Sequence, residues 1–514
     1  MKSLGRRDFL KFLGATSLTL SQFSLLTIVS SCKTEGIIGI KPNFTDSLDL
    51  AEGLRYEKII SWGDKINSLE TFGFNNDYIA IEAIDQNKLL MWVNHEYANT
   101  LFVSGFERTK ENVDKERRSV GGSIIEINKV NNKWAINRES AYNKGIRGDT
   151  EIPFANNIKV LNSKTATGTI SNCAGGKTPW GTFLTCEENY HMNYGERNSK
   201  LEKRIPSVLQ WEKFYNNPPE HYGWVVEVEP RTGKAKKHTS MGRFSHESAT
   251  CIRSNNKVVV YTGDDKADEH LYKFISDSNT NLDSGKLYVA NIKDGKWLSL
   301  DLEDSPILKK EFNNQLEVQM YTRKAAKILG ATPLARPEDV EINPITKDVF
   351  ISLTNNKKKK NYHGSILKIS EDAKNHTSLS FKAETYILGG TDSGISCPDN
   401  LAFDRKGNLW ICNDISGRAV GTDEYKSFGN NGIFVIPTQG KNAGKLIQIA
   451  SAPIDAEFTG LCFSPDYKTL FVSVQHPGEL SKNISKPTSS WPTGSLPKPT
   501  VVQIQGKFLE KLTL

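Results

Sequence analysis

One pattern recurs along this chain and restricts its fold more than any other feature: an acidic loop, a strand, a turn, a second strand and a polar loop. It appears in ARPEDVEINPITKDVFISLTNN (335–356), SCPDNLAFDRKGNLWICND (396–414), EFTGLCFSPDYKTLFVSVQH (457–476) and FSHESATCIRSNNKVVVYTGDD (244–265). NKLLMWVNHEY (87–97) has the character of the second half of another copy. From the acid of the first loop to the polar group of the second, Glu338 to Asn355, Asp399 to Asp414, Glu457 to Gln475 and Glu247 to Asp264 each span 15 to 18 positions. An antiparallel return reverses the chain once, so both loops come to the same end of the unit. Units of this kind arranged radially make a β-propeller, with one loop pair per blade around the mouth of the central channel. A β-sandwich, the competing arrangement, would not put acids at the same point of successive repeats. The expected fold is therefore all-β: a six-bladed propeller with insertions around 191–235 and 300–330, and helical periodicity confined to about 316–330. PTVVQIQG (499–506) reads as an isolated strand suited to completing the first blade.

The N-terminus fixes where such a domain would work. GRRDFLKFLGATSLTLSQFSLLTIVSSC places Arg6 and Arg7 before a weakly apolar run without further acids after Asp8. That arrangement matches a twin-arginine export signal, an address read by the twin-arginine translocase. The run is too short and too rich in Ser and Thr for a spanning helix, which needs about 20 residues. Val29-Ser30-Ser31-Cys32 resembles a lipobox, which would make Cys32 the lipid-modified first residue of the mature chain and anchor it in a membrane. Residues 1–32 are thus expected as the signal, 33–50 as a tether and 51–514 as a single propeller domain in the periplasm or cell envelope.

Seven cysteines stand at 32, 173, 186, 251, 397, 412 and 462. Cys186, Cys251, Cys412 and Cys462 lie in apolar strand-like runs and read as buried small hydrophobes. Cys173 differs, since it lies in the polar, glycine-rich stretch SNCAGGKTPWGTFLTCEENY. A Cys173–Cys186 disulfide and a Cys173 metal ligand are both open on this pattern alone. The formal charge is +7, and Lys357–Lys360 form a basic run at a loop tip. Basic and aromatic residues do not interleave as in single-stranded nucleic-acid binders, so nucleic acid is excluded as a partner.

The repeat collects one set of side chains at one rim: Glu96, Cys173, Glu187, Glu188, Glu247, Asp264, Asp265, Glu338, Asp339, Asp399, Asp414 and Glu457. Carboxylates a few ångströms apart raise one another's pKa, so a converging set is either solvated or neutralised by cations. Carboxylate oxygens suit hard cations: Ca²⁺ with six to eight oxygens, or Mg²⁺, Mn²⁺ or iron with fewer. There is no His/Cys zinc spacing and no EF-hand loop, and His95 and His246, each before a glutamate, read as supporting donors. Arg336, two residues before Glu338 and stiffened by Pro337, either pairs with its neighbouring acids or grips a phosphate bidentately. Phosphoryl transfer asks mainly for such positioning and cationic stabilisation.

NCAGGKTPWGTFLTCEEN, GRFSHESA, TGDD, ARPEDVEINP, the CPDN loop, EFTGLCFSPDYKTLFVSVQHPG and the closing WPTG…PKPTVVQI resemble the PhoX-type alkaline phosphatases, from about residue 50 to the C-terminus. The resemblance implies a metal-dependent phosphatase acting on phosphate esters at a cluster of Fe³⁺ and Ca²⁺. It further implies that Cys173 bridges iron, that Glu247 and Glu338 are among the carboxylate ligands, and that Glu188, Asp265, Asp399 and Glu457 serve calcium or iron. Arg336 would contact the substrate phosphate, which makes Arg336 and Glu338 the candidate catalytic residues. Cys186 would then be buried in its strand, and the Gly175-Gly176 pair would let the backbone approach the cluster. The lipobox-like Cys32 departs from the family pattern. Two other functions fit a calcium-bearing propeller: a lactonase or esterase using carboxylates and amides such as Asn355 and Asn413, and a non-catalytic binding surface.

Overall fold

The computed structural model describes residues 37–198 and 202–514. Its strands form six antiparallel sheets of four or five strands, the blades of a six-bladed propeller. The innermost strands are Asn76–Asp85, Asn172–Lys177, His246–Ser254, Pro337–Ile342, Pro398–Phe403 and Glu457–Phe463. Each touches the next, and the sixth touches the first, which closes the ring.

Every junction between neighbouring blades has its own apolar cluster. In the second strand of the third blade, Val258 and Val260 face the second blade, whereas Val259 and Tyr261 face the fourth. Successive side chains point to opposite faces of a strand, and both faces are covered here. This is why KVVVY, LWICN and TLFVSV read as unbroken apolar runs rather than as an alternation. The cysteines of those runs behave as small hydrophobes. Cys186 and Cys412 are fully buried in two of these clusters, Cys251 packs against the cluster of Cys186 and Cys462 against a third, and the described cysteines are all free thiols.

The ring closes through both chain ends. Thr500–Gln505 pairs with Thr469–Gln475 on one side and with Arg55–Ser61 on the other. The C-terminal strand therefore takes the N-terminal strand into the sixth blade, and does not complete the first blade as its isolation suggested. The expected tether also needs correction over its described part. Ile40 N–H donates to Gln448 O at 2.9 Å, and Asp49–Leu50 pairs with Ser451 and Ala450 as a fifth strand of the fifth blade. Residues 37–50 thus belong to the propeller, which forms one compact unit from Ile37 to Leu514. The export signal and Cys32 lie outside the described residues.

The insertion expected near 300–330 holds two short helices, Gln315–Met320 and Thr322–Ile328. A third helix, Lys110–Ser119, went unread because KENVDKERRS has almost no apolar periodicity. It is held instead by polar contacts. Thr109 caps its first turn, and buried Glu116 accepts from Arg108 at 2.6 Å and from the Trp211 indole at 2.7 Å. No described helix is long and apolar enough to cross a membrane.

Candidate metal centre

The six inner strands all carry a bulge near the channel mouth, where two residues oppose one on the neighbouring strand. A bulge re-aims the side chain that it frees from the ladder. In four blades the first freed residue is Asp77, Cys173, Glu338 or Asp399. A second device repeats beside it. Asn75, Ser171, Arg336, Cys397 and Asp455 have left-handed backbone, with φ of 56°, 52°, 55°, 53° and 61°. Each stands two residues before a candidate ligand: Asp77, Cys173, Glu338, Asp399 and Glu457. Left-handed backbone costs a non-glycine residue about 1–2 kcal/mol, so each turn is held by its surroundings.

These turns bring distant parts of the chain together in three overlapping groups: Asp77–Glu96–Cys173, Cys173–Glu188–Glu247 and Glu247–Asp265–Glu338. Within each group, one ligand atom per residue lies within 4.8 Å of the others. Cys173 and Glu247 are shared by adjacent groups, the places where a bridging ligand would stand. Asp399, Asp414 and Glu457 continue the ring electrostatically, since burial and then Glu338, Glu457 and Asp414 push the Asp399 carboxyl well above its ordinary range.

The charge on this ring is not balanced by the protein. Burial, then the Glu457 charge, pushes Asp77 to about 8, and burial with Glu457 does the same to Asp414. Burial and neighbouring acids likewise raise Glu96, Glu188, Glu247 and Glu338, and the Cys173 thiol with them. Two like charges 4.8 Å apart repel by about 3 kcal/mol at an effective dielectric constant of about 20. Buried Asp77 Oδ1 and Glu247 Oε2 also have no hydrogen-bond partner among the described residues. Unpartnered buried carboxylate oxygens, a thiol among them and shared corners fit multivalent cations that would ionise the whole set.

Two cationic side chains touch this ring. Arg336 donates from Nε and Nη2 to the two oxygens of Asp265, each at 2.8 Å, and Nη2 lies 2.6 Å from Glu338 Oε1. Burial opposes the Asp265 charge, but Arg336 holds that carboxyl below its usual range. Of the two readings of Arg336 the ion pair is the one seen, with Glu338 as expected and chiefly with Asp265. His476 Nε2 lies 3.1 Å from Glu457 Oε1.

Of the adjacent acids at the rim, one faces the centre and the other is structural. Glu187 accepts from Lys237 Nζ at 2.6 Å and from the backbone of Gly223 and Trp224. Asp264 pairs with Arg323, and Asp339 accepts from the N–H of Val340 and Leu401. His95 and His246 are buried among protein hydrogen bonds, to Ser123 and to Thr262 and Gly242. Asn413 orders the neighbouring turn, accepting from Gly432 N–H and donating to Ser396 O, while Asn355 donates to Cys397 Sγ. The glycine pair has a different task from the expected one. A Cβ on Gly175 would stand 2.3 Å from Leu184 O, and one on Gly176 would stand 2.0 Å from Ala249 O. Both glycines let the inner strand meet its neighbours; they do not make room at the cluster.

Asp77 was missed in the sequence, and Glu96 was placed at the rim without a ligand role. The signal for Asp77 was there: NNDYIAIEAIDQNKLLMWVNHEY is a full copy of the repeat, read only from its second half. One more acidic group, Glu227–His238–Asp283, lies outside the ring. The Lys236 ammonium, 2.6 Å from Asp283 and 3.4 Å from Glu227, already supplies its cation.

Fold and donor set together define a six-bladed propeller with a candidate metal-binding centre at its inner strands. Residues 37–478 match the family model of the alkaline phosphatase PhoX. The chain belongs to that family, and it is a phosphatase. PhoX of Pseudomonas fluorescens, solved in complex with vanadate, a transition-state analogue, is 29% identical, with a TM-score of 0.83 over 92% of this chain and 98% of that one. XC5397 of Xanthomonas campestris, a gluconolactonase, is 9% identical over 91% of this chain and 98% of its own, with a TM-score of 0.37. A calcium-bearing family AA12 enzyme of Trichoderma reesei stands at 10%, 90% and 98%, and 0.37. Neither distant likeness bears on function. No curated protein matches the chain.

Proposed function

We propose that this phosphatase hydrolyses phosphomonoesters, and some diesters, at an iron–calcium cluster in the channel mouth, releasing inorganic phosphate. The observation that carries the reading is the pair of shared corners, Cys173 and Glu247, in three adjoining ligand groups beside Arg336. Cys173, Glu247 and Glu338 would hold iron, with Glu188, Asp265, Asp399 and Glu457 toward calcium or iron; Asp77 and Glu96 join the set through Cys173. Cations held there supply Lewis acidity toward the phosphoryl oxygens.

The chain's own residues do the positioning. Asp265 and Glu338 engage Nε and Nη2 of Arg336, which fixes the guanidinium plane and leaves Nη1 for a phosphate oxygen. Thr354 Oγ1 donates to Glu338 Oε1 at 3.0 Å and limits its rotation. Asn94 Nδ2 donates to the Cys173 and Ala174 carbonyls at 2.5 and 3.0 Å, fixing the turn that presents the thiol. The vanadate bound by the Pseudomonas relative supports a phosphate-like oxyanion as ligand. A lactonase or a binding module would have no use for the Cys173 thiol or for Arg336.

The test is p-nitrophenyl phosphate turnover before and after exhaustive chelation, with calcium and iron added back. Activity that survives chelation unchanged would defeat the reading. We also propose export by the twin-arginine translocase and lipid attachment at Cys32, placing the enzyme in the periplasm or cell envelope. Loss of export in an Arg6→Lys/Arg7→Lys variant and a lipid mass on the Cys32 peptide are the expected results; cytoplasmic enzyme from the native sequence would refute them.

A further inference from the structure

The segment Gln475-His476-Pro477-Gly478-Glu479, where the strand Thr469–Gln475 of the sixth blade ends, touches three of the candidate ligands. Glu457 opens the inner strand of the same blade, directly opposite Gln475 in the hairpin. Asp77 and Glu96 belong to the first blade, on the strand Asn76–Asp85 and just beyond Lys88–His95. The inner strands of these two blades touch where the ring closes. Ligands on opposite sides of such a junction keep one geometry only if something spans it.

Gln475 is fully buried, and its Nε2 donates to Glu96 Oε2 at 2.7 Å and to Asp77 Oδ2 at 3.3 Å. Ionised carboxylates only accept, so the amide turns its nitrogen toward them. Gln475 Oε1 has no hydrogen-bond partner among the described residues, and the two acids set the orientation of the amide. One NH₂ group therefore occupies one oxygen of each acid and leaves Asp77 Oδ1, itself without a partner among the described residues, for a cation. His476 acts on the other side of the junction. Its Nδ1 donates to the Asp455 carbonyl at 2.8 Å, and its Nε2 lies 3.1 Å from Glu457 Oε1. One ring thus grips both the left-handed turn at Asp455, φ 61°, and the ligand two residues after it. Asp455 Oδ2 also accepts from Leu480 N–H at 3.3 Å and from the Thr488 hydroxyl. Tyr97, next to Glu96, donates its hydroxyl to Glu479 Oε1 at 2.5 Å and ties the first blade to the same segment.

We infer that Gln475 and His476 are positioning residues of the metal centre, which hold Asp77, Glu96 and Glu457 across the closing junction of the ring in the geometry that takes up cations. The inference rests on the metal-centre reading and gives neither side chain a contact with substrate. Each acts through a carboxylate, by fixing which oxygen is occupied and which is left for the ion. Removing the hydrogen-bond partner of a ligating group lowers metal affinity by about 10–100-fold.

The experiment titrates calcium chloride into the metal-stripped full chain by calorimetry and measures iron and calcium in the same proteins as purified. Gln475→Met keeps the length of the side chain and removes the donor, and His476→Phe keeps a ring and removes both nitrogens. Each should weaken calcium binding by about 10–100-fold and lower the metal content as purified. Gln475→Asn keeps an amide that is too short to span both acids and should fall between native and Gln475→Met; it carries the test if the methionine variant does not fold. His476→Gln, which retains a donor, should recover part of the loss. Thermal midpoints with and without saturating calcium separate positioning from packing. A side chain that only packs lowers both midpoints together, whereas a positioning residue shrinks the rise that calcium brings. Calcium affinity within threefold of native in the Gln475 and His476 variants, with that rise unchanged, overturns the positioning role and leaves the metal centre standing. If the native chain takes up neither calcium nor iron, both readings fall.

Discussion

Arg336 offers the sharpest separation of charge from geometry. Lysine in its place keeps the positive charge but presents one ammonium, which cannot span both Asp265 oxygens and Glu338 as the guanidinium does at 2.8, 2.8 and 2.6 Å. At least one charge-assisted hydrogen bond is lost, about 1.5–3 kcal/mol. A phosphate oxygen loses its fixed donor as well, an effect of about 10²–10³ in kcat for one preorganised donor. Glycine at the same position gives a second reading. It relieves the φ of 55°, worth about 1–2 kcal/mol, but leaves buried Asp265 without its partner, a loss of about 3–5 kcal/mol. The net expectation is about 1–4 kcal/mol of destabilisation. Steady-state kinetics with p-nitrophenyl phosphate at saturating metal, and guanidinium unfolding of the same preparations, read the two quantities. The reasoning fails if Arg336→Lys keeps kcat/KM within threefold of the native enzyme, or if Arg336→Gly is the more stable protein.

Three further outcomes follow from the same contacts. Burial, with Glu457 beside them, raises Asp77 and Asp414 from 3.8 to about 8 without metal, so the native state holds protons that the unfolded chain releases above about pH 4. Metal-free protein should therefore lose stability steadily as pH rises from about 4 to about 8; urea unfolding at pH 5 and pH 8 checks this, and equal midpoints would contradict it. Gly176→Ala, whose new Cβ would stand 2.0 Å from Ala249 O, should destabilise the junction of the second and third blades by about 1–3 kcal/mol in thermal unfolding. Cys186→Ser should cost about 1–3 kcal/mol by burying a hydroxyl in an apolar cluster, and should leave metal content unchanged by elemental analysis.

The architecture was readable because a propeller repeats its geometry, and repetition puts acids at one point of each unit. Glu338, Asp399 and Glu457 could be aligned by eye, and the thiol of Cys173 stood out from four cysteines sitting in apolar runs. Asp77 escaped because its strand opens Asn76-Asp77-Tyr78, without the proline that marks Pro337 and Pro398. The part played by residues 37–50 escaped because edge pairing with Ser451 and Ala450 uses backbone groups, which leave no trace in side-chain pattern. Helix Lys110–Ser119 escaped for a related reason: its buried face carries Glu116, Arg117 and Ser119 beside a single apolar residue, Val113, and not an apolar stripe. The left-handed turns before Asp77, Cys173, Glu338, Asp399 and Glu457 fall on Asn, Ser, Arg, Cys and Asp rather than glycine, so tertiary contacts hold them and no glycine announces them.

The central claim is that the Cys173 sulfur and the carboxylates around it hold iron beside calcium. Protein purified from a native-type host should contain both elements by mass spectrometry and show a visible thiolate-to-iron absorption band, and Cys173→Ser should lose the band and part of the iron. Folded, active enzyme that carries neither element, or whose band and iron content ignore Cys173→Ser, would contradict it.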